Sequence, residues 1–251
     1  MSLENVISVV LAAGKGTRMK SELPKVATLL AGKPLLTHVL DSLQSAGISK
    51  KVIIVGFKKE VVEEIANKSP NVEFAIQAEQ LGTGHALLCA EKNLSSFSGT
   101  VLVACGDVPL LSPKTFSALL KFHKEQAYAA TILTCDFQNP KGYGRILRNG
   151  DGDVVAIREE KDATDAERQV TEINTGTYCF DSQNLFANLK QLGNSNAQKE
   201  YYLTDLISVL REQGKRVGAY KLENPNETKG VNSPEDLQEL ENLLLQAGAK
   251  K

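Results

Sequence analysis

Three short segments carry the residue types that phosphate chemistry needs. The first reads Leu11-Ala12-Ala13-Gly14-Lys15-Gly16-Thr17-Arg18-Met19, with Pro24-Lys25 close behind. Small residues let backbone N–H groups approach phosphate oxygens, and Arg18 and Lys25 add the positive charge that a triphosphate requires. Gly14-x-Gly16 fits neither of two familiar loops. A dinucleotide fingerprint wants a third glycine where Met19 stands, and a Walker A loop wants a later Gly-Lys followed by Ser or Thr. The second segment is Gln77-x-x-Gln80-Leu81-Gly82-Thr83-Gly84-His85. Gln77 can pair with the amide-like edge of a base, and N–H groups at a helix start favour anions. The third is Gly106-Asp107-Val108-Pro109, directly after an apolar run. A carboxylate at the C-terminal end of a strand, beside a phosphate loop, is where phosphoryl-transfer enzymes hold Mg²⁺. Each segment alone is also accounted for by a turn: flexible glycines, a helix cap, a loop aspartate satisfying its own backbone.

The elements around these segments place them on one edge. The run 6–11 is short and β-branched and reads as a buried strand. Pro34 opens a helix with apolar residues at Leu35, Leu36, Val39, Leu40 and Leu43, and Gly47 is its natural stop. Strands follow at 51–55, 72–76 and 100–105, with helices at 60–67 and from Thr83, a possible cap, to about 90. Ser112-Pro113 predicts an N-cap and first helical residue for a helix to about Gln126. Such alternation predicts an α/β fold, a doubly wound and mainly parallel sheet with helices on both faces. After residue 128 the pattern changes. Strands are expected at 129–135, 145–147, 154–157, 177–180 and 216–222, with a hairpin turn at Asn149-Gly150-Asp151-Gly152. Helices are expected at 204–213 and from Ser233-Pro234. The sheet therefore gains a small antiparallel insertion, and residues 1–251 read as one domain.

Composition narrows the function class. A formal net charge of −1 gives no basic field to attract nucleic acid or an anionic membrane. Neither a signal peptide nor a membrane span is read. The four cysteines have no C-x-x-C pairing and sit in apolar runs, as reduced thiols of a cytoplasmic protein do. The three histidines lack metal-ligand spacing. Nothing sets an oligomeric state.

The three segments, in this order, resemble the sugar nucleotidyltransferase family, and within it the uridylyltransferase domain of the bacterial bifunctional N-acetylglucosamine-1-phosphate enzymes. The likeness extends through Gly142-Tyr143-Gly144-Arg145, Glu159-Glu160-Lys161-Asp162-Ala163, Glu172-Ile173-Asn174-Thr175-Gly176, Asn196 to Asp205, and Gly230-Val231-Asn232. It implies that UTP and N-acetylglucosamine 1-phosphate are the partners and Mg²⁺ the cofactor. Leu11, Ala12, Ala13, Gly14, Gln77, Gly82 and Thr83 would hold the nucleotide. Arg18 and Lys25 would act on the triphosphate and the departing pyrophosphate, and Asp107 and Asn232 would ligate the metal. Gly144, Glu159, Asn174 and Tyr202 would hold the amino sugar. Cys105 and Gly106 would line the substrate site, although the family usually has Tyr where Cys105 stands. The bifunctional members continue into a left-handed β-helix of hexapeptide repeats, and no such repeats occur up to Lys251. An acetyltransferase domain is therefore not expected within these residues.

The same likeness leaves rivals. One is transfer to a different sugar or polyol phosphate. Another is a non-catalytic subunit that senses nucleotide sugars on the same fold, against which the joint presence of Arg18, Lys25, Asp107 and Asn232 argues. A Rossmann oxidoreductase is disfavoured by the broken glycine fingerprint.

Overall fold

The computed structural model describes residues 5–19, 21–183 and 185–248. The reading of residues 1–4 as leaderless, and the chain end, lie outside them. Nine strands form one sheet among the described residues. The first, β1 (Val6–Leu11), is followed by a two-residue hairpin of β2 (Leu29–Leu30) and β3 (Lys33–Pro34) that stands apart from it. Then come β4 (Lys50–Val55), β5 (Val72–Ile76), β6 (Thr100–Cys105) and β7 (Ala130–Asp136). The hairpin partners β8 (Arg145–Arg148) and β9 (Val154–Arg158), the long β10 (Glu172–Asp181) and β11 (Val217–Leu222) complete the set. The order is β11-β7-β10-β6-β1-β4-β5, with the β8–β9 hairpin attached through β10.

β1 pairs in parallel with both β4 and β6, so Leu11 lies level with Ile54 and Cys105 and the loops that follow share one edge. β10 runs antiparallel to β6 and β7, which makes the sheet mixed. Central strands are buried on both faces because helices cover both. Alternate residues of β1 feed two cores: Ile7 and Val9 pack with Val101, Val103 and Leu206, whereas Val10 packs with Leu36, Leu40 and Phe116. Removing a fully buried ring such as Phe116 by substitution with Ala would cost roughly 3–5 kcal/mol.

The start and stop signals act as expected. The Ser112 hydroxyl accepts from the Thr115 amide at 3.2 Å, with Pro113 as first residue of the helix Pro113–Gln126. Gly47 follows the helix Leu35–Ser45 at φ +85°, and its N–H reaches the Gln44 carbonyl. In the β8–β9 turn the Asn149 side chain accepts from the amides of Asp151 and Asp153.

Three expectations need correction. β10 is ten residues long, where only 177–180 was expected. Its first half carries Glu172, whose carboxylate meets Arg148 and Thr134, so a polar network replaces the apolar alternation that marks a strand. The helix from Thr83 ends at Leu88, and a separate turn follows at Glu91–Leu94. Its N-cap is Gly82, not Thr83.

Candidate active site

The sheet edge after β1 and β6 gathers four polar side chains. The loop after Leu11 turns at Gly16 (φ +67°), where a Cβ would fall 2.5 Å from Cβ of Lys25. Glycine thus lets the loop close over the short 3₁₀ turn Lys25–Ala27. A second 3₁₀ turn, Thr17–Met19, carries Arg18 and is closed by the Met19 amide on the Gly16 carbonyl. Gly106 extends the β1–β6 pairing through its N–H to the Leu11 carbonyl, with Val26 and Leu36 crowding its hydrogen. That fixes Asp107. The Asp107 carbonyl accepts from the Val231 amide at 3.0 Å and so draws in Asn232. Asp236, in the helix Pro234–Gly248, accepts from the amides of Asn232 and Ser233 and holds that segment still.

The outcome is a compact charged cluster. Lys25 Nζ pairs with Asp107 Oδ2 and donates to Asn232 Oδ1 at 3.0 Å, and Arg18 Nη2 donates to the same Asn232 oxygen at 3.0 Å. One ammonium bridging a carboxylate and an amide oxygen shows that a single cation can reach both. Those are two hard oxygen donors, the set that suits Mg²⁺ sharing its remaining positions with phosphates and water. No group of three or more His, Cys, Asp or Glu side chains that could hold a metal gathers among the described residues.

The residues expected to meet the nucleotide form a turn against the segment 200–204. Gln77 is buried, and its amide nitrogen donates to the Gly82 carbonyl at 3.0 Å and meets His85 Nδ1 at 3.2 Å. The amide nitrogen has no lone pair to offer, so in this contact His85 Nδ1 is the acceptor. The Gln77 carbonyl oxygen is then the group that could meet a donor on a base. Gly82, at φ +110°, leaves no room for a side chain: a Cβ would sit 2.6 Å from the Tyr201 carbonyl oxygen. The Thr83 hydroxyl accepts from the Leu203 amide at 3.0 Å. Ala12 and Ala13 are buried beneath the first loop, and Gly14 has open space above it.

The third group lies under the β8–β9 hairpin. The Gly144 carbonyl accepts from the Asn174 amide, and a Cβ on Gly144 would stand 3.5 Å from both Asn174 Cβ and Glu159 Oε1. Arg145, 2% exposed, pins this corner through a 2.8 Å pair with Glu160. Burial raises the Glu159 pKa, with Asp205, Asp162 and Glu200 adding to the rise and the Thr204 hydroxyl opposing it. Tyr202 is buried, and its hydroxyl has no hydrogen-bond partner, as is also true of Asp162 Oδ2. Burial first, then Asp162, Glu159 and Glu200, raises its pKa. The Cys105 thiol donates to the Gly176 carbonyl at 3.5 Å and is pushed up to about 12 by burial and Asp107, against the pull of Lys25. It is a neutral spacer between Asp107 and the Asn174–Gly176 bend.

A model of the nucleotidyl transferase family matches residues 7–225. The chain belongs to the nucleotidyl transferase family. Within reach of that family assignment, residues are 49% identical over 242 positions to the bifunctional protein GlmU of Oceanobacillus iheyensis, covering 96% of this chain and 53% of that protein. Against the GlmU of Streptococcus agalactiae the identity is 51% over 225 residues, 90% of this chain and 49% of the relative. The chain therefore spans about half the length of the curated relatives it matches. A crystal structure of UDP-glucose pyrophosphorylase complexed with UDP-glucose shares the fold, with a TM-score of 0.77 at 18% identity, covering 96% of this chain and 98% of that one.

Two residues that brace this site, Thr204 and Asp236, were not read from the sequence as parts of it. Thr204 precedes the helix Asp205–Glu212 as its N-cap, yet makes no side-chain cap bond and donates instead to Glu159 Oε1 at 3.0 Å. A Thr cap ordinarily contributes about 1 kcal/mol to its helix. Thr204-Asp205 before an apolar run reads as an ordinary helix start, which is why the signal was missed. Asp236 was legible in part, as the acidic member of a Ser-x-x-Asp start at 233–236.

Proposed function

We propose that this chain transfers a uridylyl group from UTP to N-acetylglucosamine 1-phosphate, with Mg²⁺ as cofactor, giving UDP-N-acetylglucosamine and pyrophosphate. The observation that carries the reading is the convergence of Lys25, Arg18, Asp107 and Asn232 beside the small-residue loop after β1. The sequence segments around Gln77, Gly144, Asn174 and Tyr202 support the choice of uridine and amino sugar.

Charge explains how such a site works. A sugar 1-phosphate has a second pKa of about 6 and is mostly a dianion at neutral pH, so its oxygen attacks without a general base. It forms a bond to the α-phosphorus of UTP while the bond to the β-phosphate oxygen breaks, and pyrophosphate leaves with the electron pair. The obstacle is the approach of two polyanions. Arg18 and Lys25 lower it by placing fixed positive charge where negative charge accumulates. Asp107 and Asn232 would hold Mg²⁺, which when bound supplies further positive charge to the phosphate oxygens. Gly82 and Thr83 orient the nucleotide, and Gly144, Glu159 and Asn174 orient the sugar for in-line attack. Tyr202, being buried, would act by shaping the sugar pocket from behind.

A cytoplasmic location fits this reading, since all four cysteines are free thiols. No helix among the described residues is long and apolar enough to cross a membrane. The test is pyrophosphate release across a panel of nucleoside triphosphates and sugar phosphates. UTP with N-acetylglucosamine 1-phosphate should be the most efficient pair. A preference for another pair would move the substrate assignment, and no release with any pair would remove the catalytic reading.

A further inference from the structure

The segment 200–204 touches two parts of the site at once. At one end it docks on the nucleotide turn: the Tyr201 amide donates to the Leu81 carbonyl, the Gly84 amide to the Tyr201 carbonyl, and the Leu203 amide to the Thr83 hydroxyl. At the other end stands Thr204, 3% exposed, whose hydroxyl meets Glu159 Oε1 at 3.0 Å. Thr204 occupies the N-cap of an eight-residue helix and leaves that helix uncapped by its side chain. The Thr204 backbone is itself helical (φ −62°, ψ −30°), so its hydroxyl is not placed to cap that helix and is spent on Glu159. The recipient, Glu159, lies 3.5 Å from the space above Gly144, in the corner shared with Asn174.

We infer that Thr204 is a positioning residue for the sugar phosphate: its hydroxyl aims the Glu159 carboxylate at the pocket beside Gly144, and the segment carrying it ties that carboxylate to the nucleotide turn at Thr83. This rests on the reading that Gly144, Glu159 and Asn174 hold the sugar. The charged and titratable groups facing Glu159 are Asp162, Glu200 and Asp205, together with the hydroxyls of Tyr178 and Tyr202. The carboxylates all disfavour the ionised form, so a donated hydrogen bond from Thr204 is what opposes them. An ionised, fixed carboxylate accepts a sugar hydroxyl more strongly than a protonated one.

The experiment compares Thr204→Val, which replaces the hydroxyl by a methyl of similar size, with Thr204→Ser, which restores it. KM for UTP and for N-acetylglucosamine 1-phosphate is measured across the acid and neutral range, and the Glu159 carboxyl is titrated by ¹³C NMR without substrates. In Thr204→Val the KM for the sugar phosphate should rise about tenfold or more, as loss of a hydrogen bond to a charged group does. KM for UTP should stay within about twofold, well below the change expected of that lost bond. The acid limb of kcat/KM for the sugar phosphate should move to higher pH, Glu159 should titrate at higher pH, and Thr204→Ser should return each quantity toward the parent. Equal changes in both KM values, with Ser no better than Val, would make Thr204 merely structural and overturn the inference. So would an unmoved Glu159 titration. If the parent enzyme releases no pyrophosphate, the functional reading fails first. The Glu159 titration in the three proteins then still decides whether Thr204 controls that carboxylate.

Discussion

The charged cluster and the corner proposed to hold the sugar, the sugar corner, are built from different materials. Lys25 and Arg18, from two short turns of the β1–β2 connection, meet the Asp107 carboxylate and the neutral Asn232 amide from two further loops at the sheet edge, and Arg18 is exposed. The sugar corner is built from backbone groups of Gly144 and Asn174, a partly buried carboxylate and hydroxyls of Thr204 and Tyr202. Charge acts over distance and suits any triphosphate. Buried hydrogen-bonding groups act only on a matching shape, because a mismatch leaves them unpaired. The cluster should therefore set the rate and the corner should set the choice of sugar.

The largest effects should come from the cluster. Lys25→Ala and Arg18→Ala should each lower turnover by roughly two orders of magnitude or more, as loss of one preorganised charge does. Nucleotide affinity should change less. Asp107→Asn should lose most of its activity with an unchanged melting profile, and its remaining activity should need more Mg²⁺. Stopped assays at varied Mg²⁺ check this, and near-parental turnover at limiting Mg²⁺ would break the assignment of Asp107.

Next in size are changes in the sugar corner. Asn174→Ala should reduce kcat/KM for N-acetylglucosamine 1-phosphate by about 10–100-fold, and less for glucose 1-phosphate, as loss of one buried polar partner worth 1–3 kcal/mol implies. Side-by-side kinetics with the two sugars decide it. An equal loss would mean that Asn174 serves the fold alone.

Glu159 links this corner to pH. Its folded pKa is raised, chiefly by burial. Between its unfolded pKa and that higher value the native state binds the extra proton, so stability falls as pH rises through the window and stays lower above it. Glu159→Gln should therefore melt higher than the parent at neutral pH. The difference should shrink once the pH falls below the unfolded glutamate range, while sugar-phosphate turnover is reduced throughout. A variant that melts lower than the parent at neutral pH would show that ionised Glu159 is stabilising. The smallest effect is expected far from both regions. Ser112→Ala removes a helix cap worth about 1 kcal/mol, or about 2–4 °C in Tm for a chain of this size, and should leave kinetics unchanged.

The two regions also differ in how far they can be read from sequence. The cluster is legible because buried parallel strands leave continuous apolar runs, and the polar residues that interrupt them at glycine turns stand out. Asp107 could be placed at a strand's end, and Arg18 and Lys25 in the polar segment after the first strand, before any coordinates. The sugar corner depends on contacts between distant segments that leave no local pattern. Glu172 and Asn174 hide the first half of β10, because the partners that make a charged strand residue acceptable, Arg148 and Thr134, lie elsewhere in the chain. Thr204 looks like a helix cap until its hydroxyl is seen on Glu159. The family resemblance located Gly144, Glu159 and Asn174, and the coordinates bring these three together. They also place the buried Tyr202 hydroxyl near the partly buried carboxylates of Asp162 and Glu159.

UTP and N-acetylglucosamine 1-phosphate are proposed to be joined at this site with loss of pyrophosphate. A ³¹P NMR time course of the purified chain with both substrates and Mg²⁺ tests it most directly. The sugar-phosphate resonance should decline in step with the triphosphate, while the signals of a nucleotide-sugar diphosphate and of pyrophosphate grow in equal amounts. A sugar-phosphate resonance that stays constant, whether the UTP persists or is hydrolysed, would contradict it.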